Sequence, residues 1–230
     1  LWRYERKLTG GAAFQGKKGL AIAGDHVLVP TSDMHVLALE AKTGKVAWDH
    51  AIDTGGQAEF QIKSSPLIAG DKVIIGVNGF TTRGGNFIVG VDLATGKEAW
   101  RFYTIARPGQ PGGDSWNGQA VDARSGGSVW VAGTYDPELD LVFFGPAPTY
   151  NTAPLREPKP GFTNDALYTN TTVALNPKTG ALVWYYQHQA NDQLDHDWAY
   201  ERSIVDLMID GAKRRVVVTG GKQALFDALD

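Results

Sequence analysis

The stretches LALEAKTGKVAW (residues 37–48), VGVDLATGKEAW (89–100) and VALNPKTGALVW (173–184) are three versions of one pattern. Each opens on an apolar run and passes a polar residue (Glu40, Asp92 or Asn176). Each then reaches Thr-Gly and ends on a Trp four residues past the Gly. This reads as a β-hairpin. The apolar run is one strand, Gly supplies the positive φ of the turn, and the next strand carries the Trp. An Asp or Asn just before the turn can cap its backbone N–H groups. A Trp at one fixed place per repeat is large enough to fill the gap between neighbouring sheets.

Spacing turns the hairpin into an architecture. Trp48 and Trp100 lie 52 residues apart, and Trp100 and Trp184 lie 84 apart. Leu1-Trp2 matches the end of an earlier copy, and Ala228-Leu229-Asp230 the start of a later one. A unit of about 50 residues with four strands has the size of a propeller blade. The longer interval fits two insertions, PGQPGGDSWNGQ (108–119) and the Pro-rich GPAPTYNTAPLREPKPGF (145–162). Between these marks HVLVP (26–30), KVIIGV (72–77), LDLVFFG (139–145) and RRVVVTG (214–220) read as strands bounded by Gly or Pro. SIVDLMI (203–209) is too short for a helix. The expectation is an all-β propeller of about four blades, over residues 3–50, 51–102, 103–186 and 187–230, in one domain. A chain that starts and stops inside a repeat is expected to be part of a longer one, or to meet a second chain that supplies the remaining blades.

Composition narrows the function. The chain has 22 basic and 25 acidic residues and no basic block, which argues against a nucleic-acid partner. No apolar run of about 18 residues predicts a transmembrane segment. With no Cys, disulfides and thiolate metal sites are excluded. There is no G-x-S-x-G elbow for a serine hydrolase. The Gly-rich TRGGN has no Lys-Ser/Thr after it, as a phosphate loop needs. His188 and His196 lie eight apart, which is no recognisable zinc pattern. The remaining chemistry-bearing stretch is NDQLDHDWAYE (191–201), where Asp192, Asp195, His196 and Asp197 sit between aromatic runs. By itself this is a wet acidic loop, a catalytic carboxylate or a metal ligand.

The polar-TG-Trp repeat resembles the tryptophan-docking motif of quinoprotein alcohol dehydrogenases, eight-bladed propellers that bind pyrroloquinoline quinone (PQQ) beside a calcium or lanthanide ion. The likeness spans the chain: GKKGLAI, SSPLIAGDKVIIGVNG, GKEAWRFYT then GGDSW, SGGSVW, TYDPELDLVFFG and NDQLDHDW follow the family's order. The tryptophan motif alone also occurs in non-enzymatic propellers, including outer-membrane assembly factors.

The resemblance implies specific roles. Trp130 would be the floor under the quinone ring, with Ser128 as a polar edge contact. Lys222 would hydrogen-bond the quinone oxygens, and Lys18 a cofactor carboxylate. Asn78 and Gly79 would run along the cofactor edge. Asp195 would take the proton of the substrate hydroxyl as hydride moves to the quinone, with the metal as Lewis acid. Asp195 and Asp197 would also face the metal, Asp197 in the place of the extra aspartate of lanthanide-using members. Two places depart from the family. Its glutamate ligand falls where this chain reads NGFTTRGGN, with Thr81 nearest and no acidic residue between Asp71 and Asp92. Its asparagine ligand falls at Pro146, and Asn151 in the same loop is the substitute on offer. The implied activity is oxidation of a small alcohol in the bacterial periplasm, with electrons passed to cytochrome c or another acceptor. The alternative is a non-catalytic scaffold or binding propeller.

Overall fold

The computed structural model describes residues 1–8 and 19–230. Lys18 lies outside the described residues. Among the described residues, fifteen strands form four antiparallel sheets, each a simple meander. The first holds β1 (Ala21–Ala23), β2 (His26–Pro30), β3 (His35–Glu40) and β4 (Val46–Ala51). The second holds β5 (Leu67–Ala69), β6 (Lys72–Gly76), β7 (Phe87–Asp92) and β8 (Glu98–Tyr103). The third holds β9 (Thr134–Asp136), β10 (Leu141–Phe144), β11 (Thr171–Leu175) and β12 (Leu182–Gln187). The fourth has three strands, β13 (Ser203–Ile209), β14 (Ala212–Gly220) and β15 (Phe226–Leu229). First strands touch in sequence, β1 on β5, β5 on β9 and β9 on β13, so they line a common axis. This is the expected arc of propeller blades. SIVDLMI is the strand β13.

Period-two alternation explains why the middle strands are apolar throughout. In the second blade Val73, Ile75, Val89 and Val91 pack towards the first blade, with Leu28, Val36 and Ala38. Ile74 and Ile88, one residue out of step, pack towards the third, with Val142, Phe144 and Val173. A blade covered on both faces has no solvent face to make polar.

The repeat motif joins the blades at their outer strands. Trp48 Nε1 donates to Leu93 O of the next blade at 2.9 Å, and Trp100 Nε1 to Pro177 O at 2.9 Å. Trp2 does the same to Ala41 O at 2.8 Å. Each indole lies on the Gly of the neighbour's Thr-Gly turn. A Cβ at Gly44, Gly96 or Gly180 would come within 2.4–2.7 Å of the ring. These glycines also have φ of +69° to +73°, so the turn and the close approach both select Gly. The residue opposite each strand Trp is small: Ala38 faces Trp48, Gly90 faces Trp100 and Ala174 faces Trp184. The capping role holds as well. Asp92 Oδ1 accepts from Thr95 N (2.9 Å), and Asn176 Oδ1 from Lys178 N and Thr179 N (2.9 and 3.1 Å).

The two insertions pack on each other. Asn117 Nδ2 donates to Pro154 O and Glu157 O, and Asn117 Oδ1 accepts from Lys159 N. Ile105, Trp116, Leu155 and Ala166 form a small core between them.

Candidate functional site

An antiparallel meander has two ends. The turns from first to second and from third to fourth strand lie at one end. The links from second to third strand, and from the fourth to the next blade, lie at the other. The Thr-Gly turns are of the first kind. Every described candidate residue is of the second kind. Asn78, Gly79 and Thr81 lie between β6 and β7, and Asn151 between β10 and β11. Lys222 lies between β14 and β15, Ser128 and Trp130 between β8 and β9, and Asp195 and Asp197 between β12 and β13. The repeat therefore stabilises one end of the arc and leaves the other to long loops.

Asp195, Asp197 and Lys222 meet there. Lys222 Nζ lies 2.8 Å from Asp195 Oδ2 and 3.4 Å from Asp197 Oδ2. Lys222 N donates to His196 O at 2.7 Å, which pins the two loops together. The Asp195 hydrogen bond raises the Lys222 ammonium above its ordinary range and keeps it charged. Asp197 is only 4% exposed; burial pushes its carboxyl up while Lys222 opposes that. Its Oδ1 is buried without a hydrogen-bond partner.

The acidic segment divides its labour. Asp192 is the structural member. Its Oδ1 accepts from Leu194 N (2.9 Å), and its Oδ2 from His196 N (2.7 Å) and Asn170 Nδ2 (2.8 Å). Asn170 Oδ1 accepts from Trp198 N at 3.0 Å, so Asn170 clamps both ends of the segment. With φ of +60° and +49°, Asp195 and Asp197 are held in the left-handed region that Asp tolerates better than most residues. Trp198 stacks on His188, with ring centroids 4.5 Å apart and planes 4° apart. His188 in turn bridges Asp227 (2.5 Å) and Thr172 (2.7 Å).

Beneath the segment lies Arg202, a residue the sequence reading passed over. It is 2% exposed and donates to Trp198 O (2.7 Å), Thr171 O (3.2 Å), Thr172 Oγ1 (3.1 Å) and Tyr200 O. Burial pushes its guanidinium down to about 9. Any Cβ on Gly145 would strike its Nη1, so Gly145 in the insertion is fixed by Arg202. A basic residue beside Glu201 looks like a surface ion, and nothing local signals a buried one.

The other candidates fall nearby in smaller groups. Ser128 Oγ donates to Gly79 O at 2.9 Å, and Asn86 Nδ2 donates to the same carbonyl at 2.8 Å. Trp130 is half-buried and meets Tyr200 edge-on, with centroids 5.8 Å apart. Asn78 is buried, with an Nδ2 that has no partner. Thr81 and Asn151 are exposed and border a neighbouring hollow with Phe80, Arg83 and Tyr150. Tyr150 links that hollow to the acidic pair. Burial and the charges of Asp195 and Asp197 push its phenol up to about 12.

These residues fit a flat cofactor rich in acceptor oxygens: Asn78 Nδ2 is an unused buried donor, Lys222 a charged one and Trp130 a flat ring. For a cation the fit is narrower. The unpartnered Oδ1 of Asp197 and the neighbouring Asp195 suit one. Thr81 and Asn151 border the neighbouring hollow, and among the described residues no three His, Cys, Asp or Glu form a metal cluster.

The family model described as PQQ, "Glucose/ethanol/alcohol dehydrogenase, beta-propeller domain", matches residues 53–230. The chain belongs to this family. Over its whole length it is 35% identical to the quinohemoprotein alcohol dehydrogenase ADH IIB of Pseudomonas putida, of which it spans 35%. It is similar to the solved quinohemoprotein alcohol dehydrogenase ADHIIG of the same species, with a TM-score of 0.82 and 31% identity. That match covers 94% of this chain and 33% of the other. It is similar to a europium-containing methanol dehydrogenase with a TM-score of 0.82 and 28% identity, over 94% of this chain and 39% of that one. The likeness to BamB from Moraxella catarrhalis, at 14% identity and a TM-score of 0.54 over 100% of this chain and 51% of that one, is one of fold alone. This chain of the PQQ dehydrogenase family thus spans about a third of the length of the quinohemoprotein relatives it matches.

Proposed function

We propose that the protein to which this chain belongs is a periplasmic PQQ-dependent alcohol dehydrogenase that passes electrons to a cytochrome-type acceptor. The observation that carries this reading is the Lys222–Asp195–Asp197 cluster, at the same end of the arc as Trp130, Ser128 and Asn78. When bound, PQQ supplies the two-electron sink for an alcohol's hydride. Trp130 would support its ring, and Lys222, Ser128, Asn78 and Gly79 would meet its edge, with Lys18 as a further contact. A calcium or lanthanide ion would be held by Asp195 and Asp197.

The chain's own residues do the proton work. Asp195 is half-exposed, so a hydroxyl can reach its carboxylate. It is the general base, holding the proton that leaves the alcohol. Lys222 Nζ, 2.8 Å from Asp195 Oδ2, orients this carboxylate, and Asn170 and Asp192 fix the segment that presents it.

The test is titration of the full-length protein with PQQ, with and without Ca²⁺ or La³⁺, read by tryptophan fluorescence and dye-linked alcohol oxidation. Quenching and turnover are expected, and Asp195→Asn should bind PQQ yet lose about 10²- to 10⁴-fold in kcat. Absence of quenching under every metal condition would return the chain to a scaffold reading.

A further inference from the structure

Two adjoining hollows share the lining residues Arg83 and Asp122. Tyr150 lines one of them, beside Asp195 and edge-on to Phe80 at 5.3 Å. The hollow that Tyr150 and Phe80 line is about 370 Å³ and is also bordered by Arg83 and Asp122. The same two residues border a second hollow of about 520 Å³, lined further by Tyr103, Arg101 and Arg107.

The arginines differ in what they already do. Arg101 is committed. Its Nε and Nη2 donate to Glu98 at 3.0 and 2.8 Å, and its Nη1 to Asp53 O at 2.8 Å. Arg107 lies over the Tyr103 ring, 4.0 Å from its centroid, and among the described residues it pairs with no carboxylate. Burial pushes its guanidinium down, the mark of a cation short of counter-charge. Arg83 is exposed at the junction, its loop held by Gln57 through Arg83 N and O. Of the two acids on the walls, Asp53 caps Gly55 N at 2.8 Å and Asp122 sits in a short 3-10 turn at the junction. Two guanidiniums with no ion pair among the described residues, interleaved with exposed rings, suit a planar carboxylate joined to an apolar chain.

We infer that Arg83 and Arg107 form a carboxylate subsite, and that the alcohol taken by this protein is a hydroxy acid whose hydroxyl reaches Asp195 past Phe80 and Tyr150. The second half rests on the alcohol-oxidation reading above. The first half does not.

The experiment uses full-length protein loaded with PQQ and three probes: 6-hydroxyhexanoate, 1-hexanol and hexanoate. Dye-linked oxidation gives kcat/KM for the first two, and calorimetry gives hexanoate binding. The hydroxy acid should be favoured over the alcohol by ~10- to 100-fold, the range for one charge-assisted hydrogen-bonded pair. Arg107→Gln should collapse that ratio and abolish hexanoate binding. Asp122→Asn, which removes a competing negative charge, should raise the ratio and tighten hexanoate. Equal kcat/KM for hydroxy acid and alcohol, or a ratio unmoved in both variants, would overturn the inference. If neither alcohol is oxidised, the functional reading fails by itself and calorimetry decides the subsite. Hexanoate binding lost in Arg107→Gln then upholds it, and no binding overturns it.

Discussion

Replacing Gly96 by Ala tests whether the Trp-on-Gly contact holds adjacent blades together. Two costs add at this site. Gly96 has φ of +70°, and an L-residue there costs ~1–2 kcal/mol. The new Cβ would also lie 2.7 Å from the Trp48 ring, which must withdraw from its pocket. Overpacking of this kind costs ~1–3 kcal/mol. Withdrawal also strains the 2.9 Å bond from Trp48 Nε1 to Leu93 O, worth ~1 kcal/mol. The expected loss is ~2–5 kcal/mol from the conformational and overpacking costs, rising to ~6 where the bond to Leu93 O is lost as well. Gly24→Ala is the control. Its φ is +54°, but a Cβ there meets nothing within 4 Å, so only the conformational cost applies. Urea unfolding of the full-length protein reads both variants, with an unchanged slope showing that the same transition is measured. Trp48→Phe in the Gly96→Ala background should cost less than in the parent, because the docking is already lost. Equal midpoint shifts for Gly96→Ala and Gly24→Ala would refute the argument, since the indole would then have contributed nothing.

Three further outcomes follow from the site and the blade contacts. Asn170→Ala strands the Trp198 N–H and removes a donor from Asp192. It should lower stability by ~2–4 kcal/mol, measured by thermal melting, and lower kcat by loosening residues 191–198. In Asp136→Asn the bridge from β9 to Arg215 on β14 is lost. Burial pushes the Asp136 carboxyl up, but Arg215 and the N–H groups of Glu138 and Leu139 outweigh it, so its folded pKa is depressed. Its contribution is therefore present above the unfolded value of ~3.9 and lost as pH falls through the folded one. Urea midpoints of parent and variant should differ most near pH 7 and converge below about pH 4. In Lys222→Met the ammonium no longer opposes burial at Asp197, so that carboxyl moves further up. PQQ titrations should show weaker binding and a pH dependence displaced upward relative to the parent.

What was legible in the sequence was local. The Thr-Gly turn, its Asp or Asn cap and the strand that follows all lie within twelve residues, and one hairpin contains their physics. The Trp spacing then gave the blades, because each indole has one place to go. The partners of NDQLDHDW were not legible in the same way. Asp192 and Asp195 look alike in sequence, and what separates them is Asn170, 22 positions from Asp192, and Lys222, 27 from Asp195. Arg202 was hidden for the same reason, since its acceptors include Thr171 and Thr172 on a strand some thirty residues earlier. The insertions were visible as extra length, but their joint core around Trp116 and Leu155 depends on a contact between two loops.

The meander's two ends explain why such a scaffold can host a site at all. A polar cluster such as Asp195, Asp197 and Lys222 is a poor source of stability: it leaves a buried carboxylate oxygen unpaired and holds two aspartates at positive φ. That cost has to be offset where the cluster's geometry is not disturbed. Trp48 and Trp100 dock on turns at the opposite end, and the interblade cores lie between. Loops at the site end can therefore lengthen, as 108–119 and 145–162 have, without moving a single indole from its glycine. If this separation holds, substitutions at Gly96 and at Asp195 should be additive in stability, because they share no partner and lie at opposite ends of the arc.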